Sequence, residues 1–237
     1  SGTHVWKFDE DMKTGKMTQE ECEFAESCMS RSIGHCMTMG TASTMATMVE
    51  ALGLTLSGAS AIPAADSRKK QMAQLSGRRI VEMVKENLTI DKILTREAFE
   101  NAIKVNAAVG GSSNFIIHLT AIAGRIGVDL KLDDFDDLGS KIPLLLNLMP
   151  SGKYLMEDYY YAGGLPVILH ELRKELHENV ITVTGKNHHE NIAGQTACYD
   201  RDVIATYEEP LIAEAGCVVV KGNLALNGAV IKPSAAS

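Results

Sequence analysis

The segment Gly34-His35-Cys36-Met37-Thr38-Met39-Gly40-Thr41-Ala42-Ser43-Thr44-Met45 gathers a thiol, several hydroxyls and flanking glycines in one short stretch. Met45, Met48, Val49 and Leu52 recur at helical spacing after it, so the pattern predicts a helix over 40–52 that Gly53 can close. Cys36 then sits just ahead of a helix N-terminus. The positive end of a helix favours negative charge, which lowers a thiol pKa and populates the thiolate that binds metals or attacks carbon. Cys36 is therefore a candidate metal ligand or nucleophile. The opposing reading is a small buried hydrophobe among core methionines, and one thiol alone does not displace it. His35 and Thr38 beside the thiol are candidates to hydrogen-bond a substrate or a bound group, as is Thr41; the two threonines serve equally well as helix caps.

Three other places carry polar groups in suggestive order. Gly110-Gly111-Ser112-Ser113-Asn114 has the composition of a phosphate-cradling loop but neither the lysine of a P-loop nor the spacing of a dinucleotide fingerprint. Ser112 and Ser113 thus face either a cleft or a tight helix crossing. Pro150-Ser151-Gly152-Lys153-Tyr154 follows a predicted strand, a position where ligand-contacting loops occur, and makes Ser151 and Gly152 candidates; Lys153 reads as a solvated turn lysine. Tyr159, Tyr160 and Tyr161 read as packing or subunit-contact residues. His188-His189-Glu190 reads as a surface turn, because adjacent histidines on a helix point in different directions.

The elements that must hold these groups are mostly helical in the first half. Thr18 and Glu21 have capping-box spacing ahead of a helix over 19–31. A long amphipathic helix is predicted over 67–87, with Met72, Leu75, Ile80, Met83 and Val84 as its inner stripe. Another begins near Thr95 with Phe99, Ile103 and Val105 inward, and a largely buried one runs over 115–126. The second half predicts short strands at 142–148, 180–183 and 217–220 and a helix over 166–176 with proline in its first turn. This alternation gives an α/β class: layered helices with a short-stranded, mostly parallel sheet. Residues 1–215 read as part of an N-terminal α/β domain, and 216–237 as the start of a truncated second, β-rich one. The unclosed strands at that end predict that the natural protein continues past Ser237, as the abrupt start predicts that it begins before Ser1. Residues 217–234 are expected to be poorly ordered or paired with another chain.

Composition sets the outer limits. The 237 residues are 45% hydrophobic, enough for a substantial core. With 30 acidic against 23 basic residues and no basic block, the net charge of -7 argues against nucleic acid or an anionic membrane surface as partner. A small anionic substrate needs a local cation or metal. Apolar runs such as 144–149 fall far short of the ~20 residues that span a bilayer, and no export or transit pattern is visible, so the cytoplasm is the expected compartment. Five cysteines without a C-x-x-C pair fit neither a disulfide framework nor a zinc ribbon. A zinc or thiol-redox protein would need further Cys or His residues converging on Cys36.

Long blocks of the chain resemble one family. GHCMTMGTASTM, VEALGL and IPAADSRKKQMAQLSGRRIV, then GGSSN with HLTAIAGRIG, NLMPSGKYLMEDYYYAGGLPV and VVVKGNLALNGAVIKPSAAS follow the order of the dihydroxy-acid and sugar-acid dehydratases. The resemblance is closest to the pentonate branch, with His35, Met37 and Ser113 as departures. It implies an enzyme that uses an iron-sulfur cluster, 2Fe-2S in preference to 4Fe-4S, and Mg2+. Cys36 matches the last of three cluster cysteines; the other two, the magnesium ligands and the catalytic serine match nothing in this chain. The implied reaction is dehydration of an aldonate to its 2-keto-3-deoxy acid by a homo-oligomer, dimer or tetramer. Alternatives are a dihydroxy-acid dehydratase of branched-chain amino-acid synthesis, and a structural piece that is catalytically inactive.

Overall fold

The computed structural model describes residues 2–29 and 32–233. Its helices, in chain order, are α1 (Gly2–Lys13), α2 (Gln19–Ser27), α3 (Thr41–Ala51), α4 (Ser67–Lys85), α5 (Ile90–Ile93), α6 (Arg96–Ala108), α7 (Asn114–Arg125), α8 (Leu132–Gly139), α9 (Met156–Ala162), α10 (Leu165–Glu171) and α11 (His188–Asn191). Two strands follow, β1 (Val218–Gly222) and β2 (Ala225–Ile231).

Capping chemistry explains where several helices start. The Thr18 hydroxyl accepts from the Glu21 backbone N–H while the Glu21 carboxylate takes the Thr18 N–H at 2.8 Å. The Asp66 and Thr95 side chains accept from the first turns of α4 and α6. α2 stops at Ser27, short of the predicted end at Arg31, which lies outside the described residues. Gly53 closes α3 at φ 79°, where a Cβ would also press on Thr182 at 3.0 Å.

α6 is the centre of the core. Ala98, Phe99, Ala102, Ile103, Val105, Ala107 and Ala108 are all buried, and the helix packs against α3, α7, α8 and α10. Asn101, also buried, exchanges hydrogen bonds with the His177 backbone at 2.8 and 3.0 Å, which ties α6 to the chain beyond α10. Phe115 and Phe135 meet edge to face at 5.2 Å where α7 and α8 join this core.

The α/β class holds, while the strands differ in detail from expectation. The regular sheet is the antiparallel pair β1–β2, with Val219 opposite Val230, in place of a mostly parallel sheet. Residues 142–148 are extended but make single bridges, Leu144 with Ile212 and Leu146 with Ile204. Residues 180–183 contribute one bridge, Ile181 with Asn187. Their partners are turn-rich segments, so the pairing never propagates into a ladder. The β1–β2 hairpin pairs with itself and docks on α8, through the Asp136 carboxylate accepting the Val219 N–H at 3.0 Å and Lys221 on Asp133 at 2.7 Å. In the described part of 217–234 the strands thus find their partner within this chain.

Two helical expectations change as well. In α4 only Met83 is buried, and Leu75, Ile80 and Val84 of the predicted inner stripe are exposed, because little of the described chain covers this helix. α7 buries Phe115, Ile116, Leu119 and Ala123 on one face but leaves Ile117 exposed. Among the described residues no helix is long and apolar enough to cross a membrane.

Candidate functional site

Residues 32–40 form a loop that leads into α3, and the loop is held by main-chain atoms from a distant turn. The Met39 N–H donates to the Met149 carbonyl at 2.7 Å, and the Met156 N–H donates to the Met37 carbonyl at 2.7 Å. Cys36 lies just before the stapled residues. From inside the loop Ser43, buried on the first turn of α3, donates to the Thr38 carbonyl at 2.6 Å and lies 3.2 Å from the Cys36 carbonyl. The His35 ring nitrogen Nδ1 is 2.8 Å from the Cys36 carbonyl and 3.4 Å from the Ser43 hydroxyl. Gly40 is the N-cap residue of α3 and makes no side-chain cap, so the hydroxyl of Ser43 is spent on the loop.

The Cys36 thiol is exposed, which removes the reading of a buried core cysteine. Its sulfur lies 3.2 Å from the Thr38 hydroxyl. That hydroxyl contact, joined by the Thr38 and Met37 backbone, draws the thiol pKa below its usual value, against a smaller opposing effect of partial burial. Cys36 opens onto a cavity of about 400 Å³. Ile33, Gly34, His35 and Thr38 line it from the loop side, Ala61 to Ala64 from the segment leading into α4, Lys69 from the first turn of α4, and Leu155, Met156 and Glu157 from the start of α9.

The candidates from the sequence thus divide. His35, Cys36 and Thr38 share the cavity. Ser151 and Gly152 do not line it, but they belong to the turn whose ends staple the Cys36 loop; the Gly152 N–H donates to the Leu148 carbonyl at 2.8 Å. Ser112 and Ser113 do not line the cavity; their segment is tied to the start of α3, where the Ser112 N–H donates to Thr44 at 2.9 Å and Asn114 donates to Thr41 at 2.6 Å. A Cβ on Gly111 would collide with Asn106, as in a tight helix crossing. His188 is buried, its Nε2 2.8 Å from the Ala51 carbonyl, so it braces the end of α3 and the surface-turn reading fails for it. Burial lowers its pKa, against the opposing hydrogen bond to Ala51. Tyr159 is fully buried packing. Sequence reasoning missed Ser43, Lys69 and the Leu155–Glu157 wall; their signal is contiguity with quoted blocks, which carries no geometry by itself.

Residues 1–191 match the family model described as Dihydroxy-acid/6-phosphogluconate dehydratase N-terminal. The chain belongs to this dehydratase family. It is 57% identical over 239 residues to an L-arabinonate dehydratase of Rhizobium leguminosarum bv. trifolii, covering 100% of this chain and 41% of that protein. An L-arabonate dehydratase of Azospirillum brasilense is 52% identical, with the same shares covered. A D-xylonate dehydratase of Caulobacter vibrioides is 45% identical over 99% of this chain and 39% of its own length. The chain therefore spans about two fifths of the length of these dehydratases.

For a dehydratase of this family, the donor set can be compared with the cofactors that the resemblance implies. An acidified, exposed thiol facing a cavity suits one corner of an iron-sulfur cluster. Cys36 is the one cysteine lining the cavity, and among the described residues no three His, Cys, Asp or Glu side chains gather to hold a metal. The chain fits as donor of a single thiolate and offers magnesium no ligand set among the described residues.

Proposed function

We propose that this chain is the cluster-bearing part of a hydro-lyase that converts an aldonate to its 2-keto-3-deoxy acid. The observation that carries the reading is the acidified Cys36 thiol on a cavity of about 400 Å³ in a chain of this family. In that reaction the C2 proton leaves to a base, the C3 hydroxyl leaves as water, and the enol formed becomes the 2-keto acid. When bound, an iron-sulfur cluster with three cysteine ligands supplies an open Lewis-acid position for the departing hydroxyl. Cys36 holds one corner of it and does not attack substrate.

The remaining residues bind and orient. Among the described residues Lys69 is the one Lys or Arg on the cavity wall, and its ammonium is a local cation of the kind that an anionic sugar acid needs in a chain of net charge -7. Ser32, His35, Thr38 and Glu157 offer hydrogen-bonding groups to the hydroxyls of a polyol chain. The similarity to arabinonate and xylonate dehydratases, with these polar groups set in a largely apolar wall, favours a sugar acid over the aliphatic dihydroxy acids of branched-chain synthesis. The base and the magnesium ligands belong to no residue assigned here. We further assign residues 1–215 to the cluster domain and 216–237 to the opening of a second domain, in a cytoplasmic homo-oligomer.

The test uses a longer parent that contains this chain, prepared without oxygen and supplied with Mg2+. C5 and C6 aldonates should be dehydrated, 2,3-dihydroxy-3-methylbutanoate less well, and Cys36→Ser should lose both turnover and cluster absorbance, since serine lacks the soft donor. Undiminished turnover and absorbance in the variant would overturn the reading.

A further inference from the structure

We infer that Glu50 is a positioning residue that sets the wall of the Cys36 cavity from behind. Glu50 is the penultimate residue of α3, the helix that begins at the Cys36 loop, and it is 2% exposed. Its carboxylate leaves the helix and accepts two backbone N–H groups of the next loop, Gly58 at 2.5 Å and Ser60 at 2.8 Å. The residues immediately after that loop, Ala61 to Ala64, are cavity wall. They touch the Cys36 loop: a Cβ on Gly34 would lie 3.1 Å from the Ala64 Cβ. One carboxylate thus joins the helix that follows the thiol's loop to the segment that faces that loop.

Little else polar fastens this loop. The Ser57 hydroxyl is buried without a protein partner, as is the Tyr159 hydroxyl, and the Ser60 side chain adds to the Glu50 contact itself. Lys69 reaches only the Ala59 carbonyl, at 3.3 Å. Burying a carboxyl is costly, and an apolar residue would pack in its place if filling space were all that was needed. Two converging backbone donors require two acceptor oxygens on one side chain, and that is what Glu50 supplies. Glutamine has the same shape but turns one oxygen into a donor, so one N–H of the loop faces an NH2 group and that tie is lost.

This inference rests on the reading of the Cys36 cavity as the dehydration site, and its test has one readout that does not. In the 237-residue chain, the rates at which Cys36 reacts with iodoacetamide and with a bulky maleimide are measured by mass spectrometry, with exposed Cys28 as internal standard. Glu50→Gln should change the bulky-to-small ratio at Cys36 several-fold and leave that at Cys28 unchanged. An unaltered ratio in folded Glu50→Gln overturns the inference. Should that variant fail to fold, Gly58→Ala carries the test, because it strains the same loop at φ 77° while its Cβ meets open space. The same shift is then expected, and its absence overturns the inference. In the longer parent, Glu50→Gln should raise KM for the aldonate more than it lowers kcat, with cluster absorbance retained. A parent that dehydrates no aldonate would fail the functional reading and leave the thiol result to judge Glu50.

Discussion

A thiol 3.2 Å from a hydroxyl, on a loop whose backbone also favours the anion, gives up its proton more readily than an isolated cysteine. Thr38 is therefore the largest influence drawing the Cys36 pKa down. Thr38→Val removes the hydroxyl and keeps the shape, so the Cys36 pKa should rise and its alkylation at pH 7 should slow. The difference should vanish at high pH, where both thiols are ionised; a pH profile of iodoacetamide reaction measures this. Ser43→Ala should cost about 1 kcal/mol in urea unfolding, because the Thr38 carbonyl loses its donor at 2.6 Å. The place of Cys36 ahead of a helix was legible from its flanking glycines and the methionine period that follows, whereas its ligand role is implied by the family resemblance and not by the thiol alone. Ser43 was not legible, because its role exists only once the loop folds back over the first turn of α3.

At the scale of elements, a glycine inside a helix and one in a tight connection between helices should respond in opposite directions. Gly77 lies inside α4 with nothing within 4 Å of an added Cβ, so Gly77→Ala should stabilise by about 0.5–1 kcal/mol through helix propensity. Gly111 lies where the chain enters α7, and an added Cβ there meets Asn106 and, at 3.0 Å, the Thr44 methyl. Gly111→Ala should destabilise by about 1–3 kcal/mol. Thermal melts of both variants check the pair. The contrast marks what patterning reveals: the amphipathic period of α4 was readable, yet period tells which residues share a face and not whether anything covers it. Val84 ends 76% exposed for that reason. The starts of α2 and α6 were readable because a cap is local. The extended run 142–148 was readable as a strand, but its partners at 204 and 212 lie far along the chain, and local sequence does not disclose single bridges of that kind.

For the molecule as a whole, the charge network around Arg96 predicts a response to acid. Arg96 holds Asp134 at 2.6 Å and Glu100 at 2.7 Å, and His177 approaches Glu100 at 2.7 Å. Burial pushes both carboxyls up, but the hydrogen bonds from Arg96, with His177 on Glu100, outweigh it and leave both below their usual values. A depressed carboxyl contributes stability that is present above its unfolded pKa and lost as pH falls through the folded one. The melting temperature should therefore decline below about pH 4, and Arg96→Met should flatten that limb. The 237-residue chain alone should neither retain a cluster nor dehydrate an aldonate, with one matched thiolate and no assigned base; iron and sulfide analysis alongside a product assay checks this. The staple on the Cys36 loop has an evolutionary reach. Both of its bonds run between main-chain atoms of residues 37, 39, 149 and 156, so their formation is indifferent to the side chains there. Mutation can reshape the lining at Met37 or Met156 while the thiol keeps its place. A lineage built on this loop can drift from one acid to another without first dismantling the site.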